Sequence, residues 1–235
     1  MKIVSPKIYV EKFDGKQIMK NIERMCRICY KSEDKITEDS YKNLLRNCIN
    51  RGHESVLEHE KISIRMICDL GVYKDLTRHR AGASFSIQST RYCNYNKGKF
   101  GSELTFIEPL YFECIPDDCT LPQNKNQTLT QHWYNAMEAI EDSYAGMGEE
   151  GAIPDEIRML LPHSIASEVG MTCNIREWKH VLSLRCTNHA HPAIQQILIP
   201  LLLLFKQEMP EIFDSVEYNE NFPKEKYAKL EFIKS

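Results

Sequence analysis

The nine residues ILIPLLLLF, 197 to 205, constrain this chain more than any other stretch. A bilayer-spanning helix needs about 20 apolar residues, so this run is too short to cross one, and Pro200 interrupts it. It reads as the middle of a buried core helix that Pro192 can start. The other elements read as half-buried. Ile18, Ile22, Met25 and Cys29 recur at helical spacing within residues 16 to 31, and a second helix runs from about Asp39 to Asn50, with Gly52 as its stop. NQTLTQHWYNAMEAIEDSYAGM is a long amphipathic helix, Pro154 opens a short one, and a further helix covers 71 to 80. Asn174 is a natural N-cap for IREWKHVLSLRC. KIVSPKIYVEKF supplies one or two short strands and KISIRMICDL alternates like a half-buried strand. ELTFIEP is a candidate strand within a loop-rich stretch from 94 to 127. With no repeat, low-complexity segment or linker, residues 1–235 read as a single α+β domain, its helices packed with a mixed or antiparallel sheet.

Charge narrows the function. Lys and Arg number 30 against 33 Asp and Glu, for a net charge of -3, so the chain is not a generally basic nucleic-acid binder. Nine cysteines, an odd number without a secreted framework, and a start that turns polar within a few residues suggest reduced thiols and a cytoplasmic location.

Positive charge is concentrated locally. TRHRAGASFSIQSTRYCNYNKGKF, 77 to 100, holds Arg78, His79, Arg80 and Arg91 among small and hydroxylic residues, with almost no acid. The planar fork of arginine suits phosphate and carboxylate, so the stretch reads as a site for a phosphorylated small ligand or as a solvated charged face. RGHESVLEHE places His53 and His59 around Ser55 and Glu58, which suits a loop at a pocket mouth better than a metal site. On a helix after Asn174, Arg176 and His180 share one face, while Arg185 projects from nearly the opposite side and His189 would follow it by four. An arginine beside the apolar stripe of Trp178, Val181 and Leu182 has to find an anion or a structural ion pair. No Gly-x-Gly-x-x-Gly or Walker pattern is present, and neither CRIC nor CTNHAH closes a metal shell, so no metal is expected.

Taken in order, GHESVLEH, RHR followed closely by STRY, then R…LP, then NIREWKHVLSLRCTNHA resembles the flavin-dependent thymidylate synthase family over about residues 50 to 195. The resemblance implies reductive methylation of dUMP to dTMP, with methylenetetrahydrofolate as one-carbon donor and FAD reduced by NADPH or NADH. It implies an obligate homotetramer with shared active sites, and no nucleic-acid or membrane partner. By matched position, Arg78, His79, Arg80, Ser55, Asn174, Arg176, His180 and His189 look like flavin contacts. Gln88, Ser89, Arg91 and Arg158 look like the dUMP pocket, Arg185 like the arginine set against the pyrimidine, and His53 like the residue at the folate or nicotinamide entrance. Arg185 and His53 are therefore the expected catalytic residues. The cysteine-dependent thymidylate synthases place their nucleophile in a Pro-Cys dipeptide. This chain has none, so no cysteine is expected to be essential.

The chain also departs from the family pattern. Eight residues separate Arg80 from Ser89 where seven are usual, Asp75 stands where glutamine is common, and His191 replaces another glutamine. A binding protein that kept the pocket and lost turnover, and an RNA-binding module stacking bases on Tyr92 and Tyr95, are the other readings.

Overall fold

The computed structural model describes residues 1–92, 95, 103–110 and 125–233. Lys97 and Lys99 of the basic stretch, and most of the expected loop from 94 to 127, lie outside these. The fold is α+β. Its elements run β1 (Lys2–Val4), β2 (Lys7–Val10), α1 (Gly15–Ile28), α2 (Ser40–Asn50), β3 (Lys61–Asp69), α3 (Leu70–Leu76), β4 (Ala83–Ile87), β5 (Thr105–Ile107), α4 (Lys125–Glu149), α5 (Pro154–Ile157), β6 (Ala166–Asn174), α6 (Ile175–Arg185), α7 (Pro192–Glu208), α8 (Pro210–Phe213) and β7 (Lys229–Phe232). The chain divides into two compact units, the first from residues 1–6, 67–75 and 87–169 and the second from 7–66, 76–86 and 170–235.

The second unit contains the apolar run. ILIPLLLLF lies within α7, where Ile197, Leu198, Ile199, Leu201, Leu202 and Phe205 are buried around Pro200. Trp178 of α6 meets Phe205 edge to face at 5.8 Å, and Phe205 meets Phe213 of α8 at 5.1 Å. The indole nitrogen of Trp178 donates 2.9 Å to the carbonyl of Ile62 in β3, so the ring is buried without losing a hydrogen bond. At the start of α1, a Cβ on Gly15 would sit 2.3 Å from the carbonyl oxygen of Glu208, so only glycine lets that helix approach the end of α7 this closely. Among the described residues, no helix is long and apolar enough to cross a membrane.

The five-stranded sheet has the order β4-β6-β3-β2-β7. It is mixed. β2 pairs parallel with β7, whereas β6 runs antiparallel to β3, as the bonds from Ile175 N to Glu60 O and between Ser63 and Thr172 show. Alternation follows the pleat: Ile62, Ile64, Met66 and Cys68 of β3 are buried, as are Ser167, Val169, Met171 and Cys173 of β6. β4, β6 and β7 were not expected from the sequence.

The first unit holds a two-stranded parallel pair, β1 with β5, and the long helix α4. Tyr95, Leu104, Phe106, Met137, Tyr144, Ile157 and Ile165 form its core.

Two local expectations need correction. The helix expected over 71–80 ends at Leu76, and the amide of His79 then turns back to the carbonyl of Leu76 at 3.0 Å. RHR is therefore not helical. The stretch of small and hydroxylic residues between Arg80 and Ser89 is not a loop throughout: it contains a strand, β4, whose Phe85 and Ile87 are half-buried and whose Ser84 and Ser86 are exposed.

Candidate functional site

The site in the second unit is organised by α6. Its first turn is capped by Asn174, whose side-chain oxygen accepts from Glu177 N at 2.8 Å. Asn174 also donates its backbone amide to the carbonyl of Gly82 at 3.0 Å. Gly82 has φ +73°, and a Cβ there would lie 2.1 Å from the Asn174 side-chain nitrogen. The turn after RHR and the cap of α6 are thus fitted to each other. Ile175, Trp178, Val181 and Leu182 bury one face of α6, which leaves Arg176, His180 and Ser183 on the opposite face. That face lines a cavity of about 830 Å³, together with Gly82 and Asn174.

The cavity carries charges of both signs. Arg176 Nη1 bonds Glu58 at 2.6 Å, and Lys179 pairs with Glu54. Both acids come from the 3-10 turn Glu54–His59. The GHESVLEH motif therefore reaches the cavity through Glu54 and Glu58. His53 and Ser55, the residues expected to act, are exposed and are not among its lining. Arg78 and Arg80 are also exposed.

His79 is buried, at 6% exposure, and so is Glu177, at 7%. The His79 ring lies edge-on to His180 at 5.8 Å. Its Nδ1 is 3.5 Å from Glu177 Oε1, and its Nε2 accepts a 3.0 Å bond from Arg185 Nε. Burial pushes the Glu177 carboxyl above its usual range, partly offset by His180 and Arg176. α6 ends at Arg185, so His189 does not continue the helical row; it sits exposed in the following turn. His191 caps α7, its ring nitrogen accepting from Ala193 N at 3.2 Å.

The four residues expected at the dUMP pocket fall in the first unit. Arg91 and Arg158 both direct Nε at one oxygen of Asp155, at 3.1 and 3.3 Å. Gln88 Nε2 donates to the Tyr95 hydroxyl at 3.3 Å, and Ser89 Oγ accepts from Arg91 N at 3.3 Å.

Among the described residues, no group of three His, Cys, Asp or Glu side chains could hold a metal ion. Burial drives the thiols of Cys68, Cys173 and Cys186 well above their ordinary range, Cys173 to about 12, so none of these is a thiolate at neutral pH.

Glu54, Glu177, Lys179 and Asp155 were not singled out in the sequence, and Glu58 was noted only as part of the GHESVLEH loop. One signal was available: Asn174 followed three residues later by Glu177 is a capping-box spacing.

Comparison with known proteins identifies the family. Residues 14–211 match the model described as thymidylate synthase complementing protein, and the chain belongs to that family. It is 27% identical over 194 residues to a flavin-dependent thymidylate synthase of Geobacter sulfurreducens, covering 80% of this chain and 77% of that one. A flavin-dependent thymidylate synthase of Pyrococcus abyssi is 31% identical over 172 residues, which span 73% of this chain and 65% of the relative. The UMP/dUMP methylase PolB from Streptomyces cacaoi, solved with 5-Br dUMP, shares the fold with a TM-score of 0.72 at 20% identity, over 91% of this chain and 96% of that one.

Proposed function

We propose that the chain is a flavin-dependent thymidylate synthase that methylates dUMP reductively to dTMP. The single observation that carries this reading is the family match over residues 14–211, which also supports reading the chain as one such domain. FAD, methylenetetrahydrofolate and a reduced nicotinamide as co-substrate, a homotetramer with shared sites, and a cytoplasmic setting belong to the same proposal.

The cavity of the second unit suits the flavin. Its volume lies within the range of about 300–1,000 Å³ usual for cofactor sites. Arg176 and Lys179 offer cations, and Asn174 and His180 neutral polar atoms, for a phosphate-bearing ligand. When bound, the flavin supplies the hydride. The protein's own residues bind, orient and stabilise charge. Arg185 would stand against the pyrimidine, where a fixed guanidinium stabilises negative charge on the ring carbonyls as carbon 5 is activated. Arg91 and Arg158 would take the dUMP phosphate, and their shared carboxylate Asp155 supports this by holding two guanidinium groups together.

The testing experiment is an anaerobic incubation of the purified protein with FAD, NADPH, methylenetetrahydrofolate and dUMP, read by mass. The reading requires dTMP that disappears when FAD or NADPH is left out. Bound flavin whose spectrum responds to dUMP, without product, would instead make this a binding protein.

Two further outcomes follow. Arg158→Ala should raise KM for dUMP by roughly 10- to 100-fold, the loss of one charge-assisted hydrogen bond, with a smaller change in kcat. Steady-state kinetics check this, and an unchanged KM removes Arg158 from the phosphate pocket. Cys29, the exposed thiol among the described cysteines, should be replaceable by serine without loss of turnover. An inactive Cys29→Ser protein that still binds flavin would overturn the cysteine-free chemistry.

A further inference from the structure

Arg185 carries the proposed chemistry, yet it lies at the last position of α6, where a long side chain has many rotamers. Its Nε is held by a chain of two other residues, both buried. Arg185 Nε–H can only donate, so His79 Nε2, 3.0 Å away, has to be the acceptor. A neutral imidazole has one donor and one acceptor. His79 therefore carries its proton on Nδ1, the nitrogen that faces Glu177 Oε1 at 3.5 Å.

We infer that Glu177 is a positioning residue for the reaction: its buried carboxylate selects the Nδ1–H tautomer of His79, and that tautomer holds the guanidinium of Arg185 in its working direction. This rests on the reading of Arg185 as the pyrimidine-facing arginine.

Three observations carry it. His79 and Glu177 are 6% and 7% exposed, and although Glu177 borders the cavity, its Oε1 faces the His79 ring, so leaving that contact unmade is costly. Glu177 and Arg185 are eight residues apart on one helix, roughly 12 Å along its axis, too far for a direct ion pair to be the natural arrangement. The imidazole occupies the interval. The segment that carries His79 is anchored, three residues on, to the start of the same helix, where Asn174 N donates to the carbonyl of Gly82 at 3.0 Å, so the ring is placed relative to α6 by the backbone.

The alternatives for the ring are poor. The opposite tautomer would point Nε2–H at Arg185 Nε–H, two donors face to face. An imidazolium would do the same while adding a positive charge beside the guanidinium. The carboxylate of Glu177 removes the first alternative by accepting from Nδ1. Removing it lets the ring adopt Nε2–H, and Arg185 Nε then loses its acceptor on His79. The arrangement parallels any site in which a third group orients a working histidine, except that here the group finally placed is an arginine.

The test begins on the unaltered protein. Holoenzyme labelled with ¹⁵N-histidine should show His79, assigned by its loss in His79→Gln, as the Nδ1–H tautomer. A proton on Nε2 overturns the inference without any variant of Glu177. Glu177→Leu should still bind flavin, shift His79 toward Nε2–H, and lower kcat by about 10- to 100-fold, the usual worth of a hydrogen bond to a charged group. KM for dUMP should change far less. Glu177→Gln, whose amide oxygen can still accept from Nδ1–H, should recover most of that loss. A Glu177→Leu protein with unaltered kcat, or a Glu177→Gln protein as impaired as Glu177→Leu, would also overturn it. If Glu177→Leu does not fold, the tautomer in the native protein and the Glu177→Gln kinetics still decide. Failure of the proposed function looks different: no dTMP from the native enzyme, whatever the tautomer of His79.

Discussion

Arg185→Ala should leave a yellow protein that makes dTMP only very slowly. The expected loss in kcat is about 100- to 1,000-fold, the usual cost of removing one preorganised donor from developing negative charge. The flavin-side groups explain why colour survives. Arg176, His180 and Asn174 line the cavity from the opposite face of α6, and none of them has Arg185 as a hydrogen-bond partner in its described bonds. His79 loses a donor at Nε2, but its contact with Glu177 and its packing on His180 persist. Absorbance of the purified protein near the flavin bands and single-turnover dTMP formation are the two readouts. A colourless Arg185→Ala protein would assign Arg185 to flavin binding and overturn the role of Glu177 in positioning it for turnover. A yellow protein with full turnover would remove Arg185 from the chemistry.

Much of the framework was visible in the residues themselves. ILIPLLLLF announces a buried helix because nothing polar interrupts it, and α7 is that helix. Asn174 announces the start of α6, and it caps it. The strands tell the opposite story. β6 reads ASEVGMTCN, and its buried face mixes Ser167 with Val169, Met171 and Cys173. Period-two alternation is present, but with a serine inside and small residues throughout it is faint. β4 was hidden by function: Ser84 and Ser86 look like phosphate-binding loop residues until Phe85 and Ile87 are counted as an alternating pair. At the candidate site, arginines were easy to single out because each needs an anion. Their carboxylate partners were not: Glu58 was read as part of a pocket-mouth loop and Asp155 was passed over, since 33 acids are spread along the chain and spacing alone does not say which arginine each will meet. The RHR motif shows the same limit. Its three cationic-looking residues have different fates, Arg78 and Arg80 exposed and His79 buried, because α3 stops at Leu76 and the chain turns.

That turn is where the second large effect is expected. Gly82→Ala should cost about 1–2 kcal/mol for forcing an L-residue to φ +73°. The new methyl would also meet the Asn174 amide at 2.1 Å, so the side chain must leave its capping position, at about 1 kcal/mol more. For a chain of this length the sum should lower Tm by roughly 4–12 °C. Binding should suffer beyond stability, because Gly82 and Asn174 both line the cavity and Asn174 fixes the first turn that presents Arg176. A double-mutant cycle separates the two causes. Asn174→Ala alone removes the cap. Adding Gly82→Ala to that background should cost only the backbone term, since the amide it would strike is gone, and the two changes should therefore be less than additive by about 1 kcal/mol. Thermal unfolding of the four proteins measures this directly. Strict additivity would mean that the turn and the helix cap are independent, and that Gly82 is required for its backbone conformation alone.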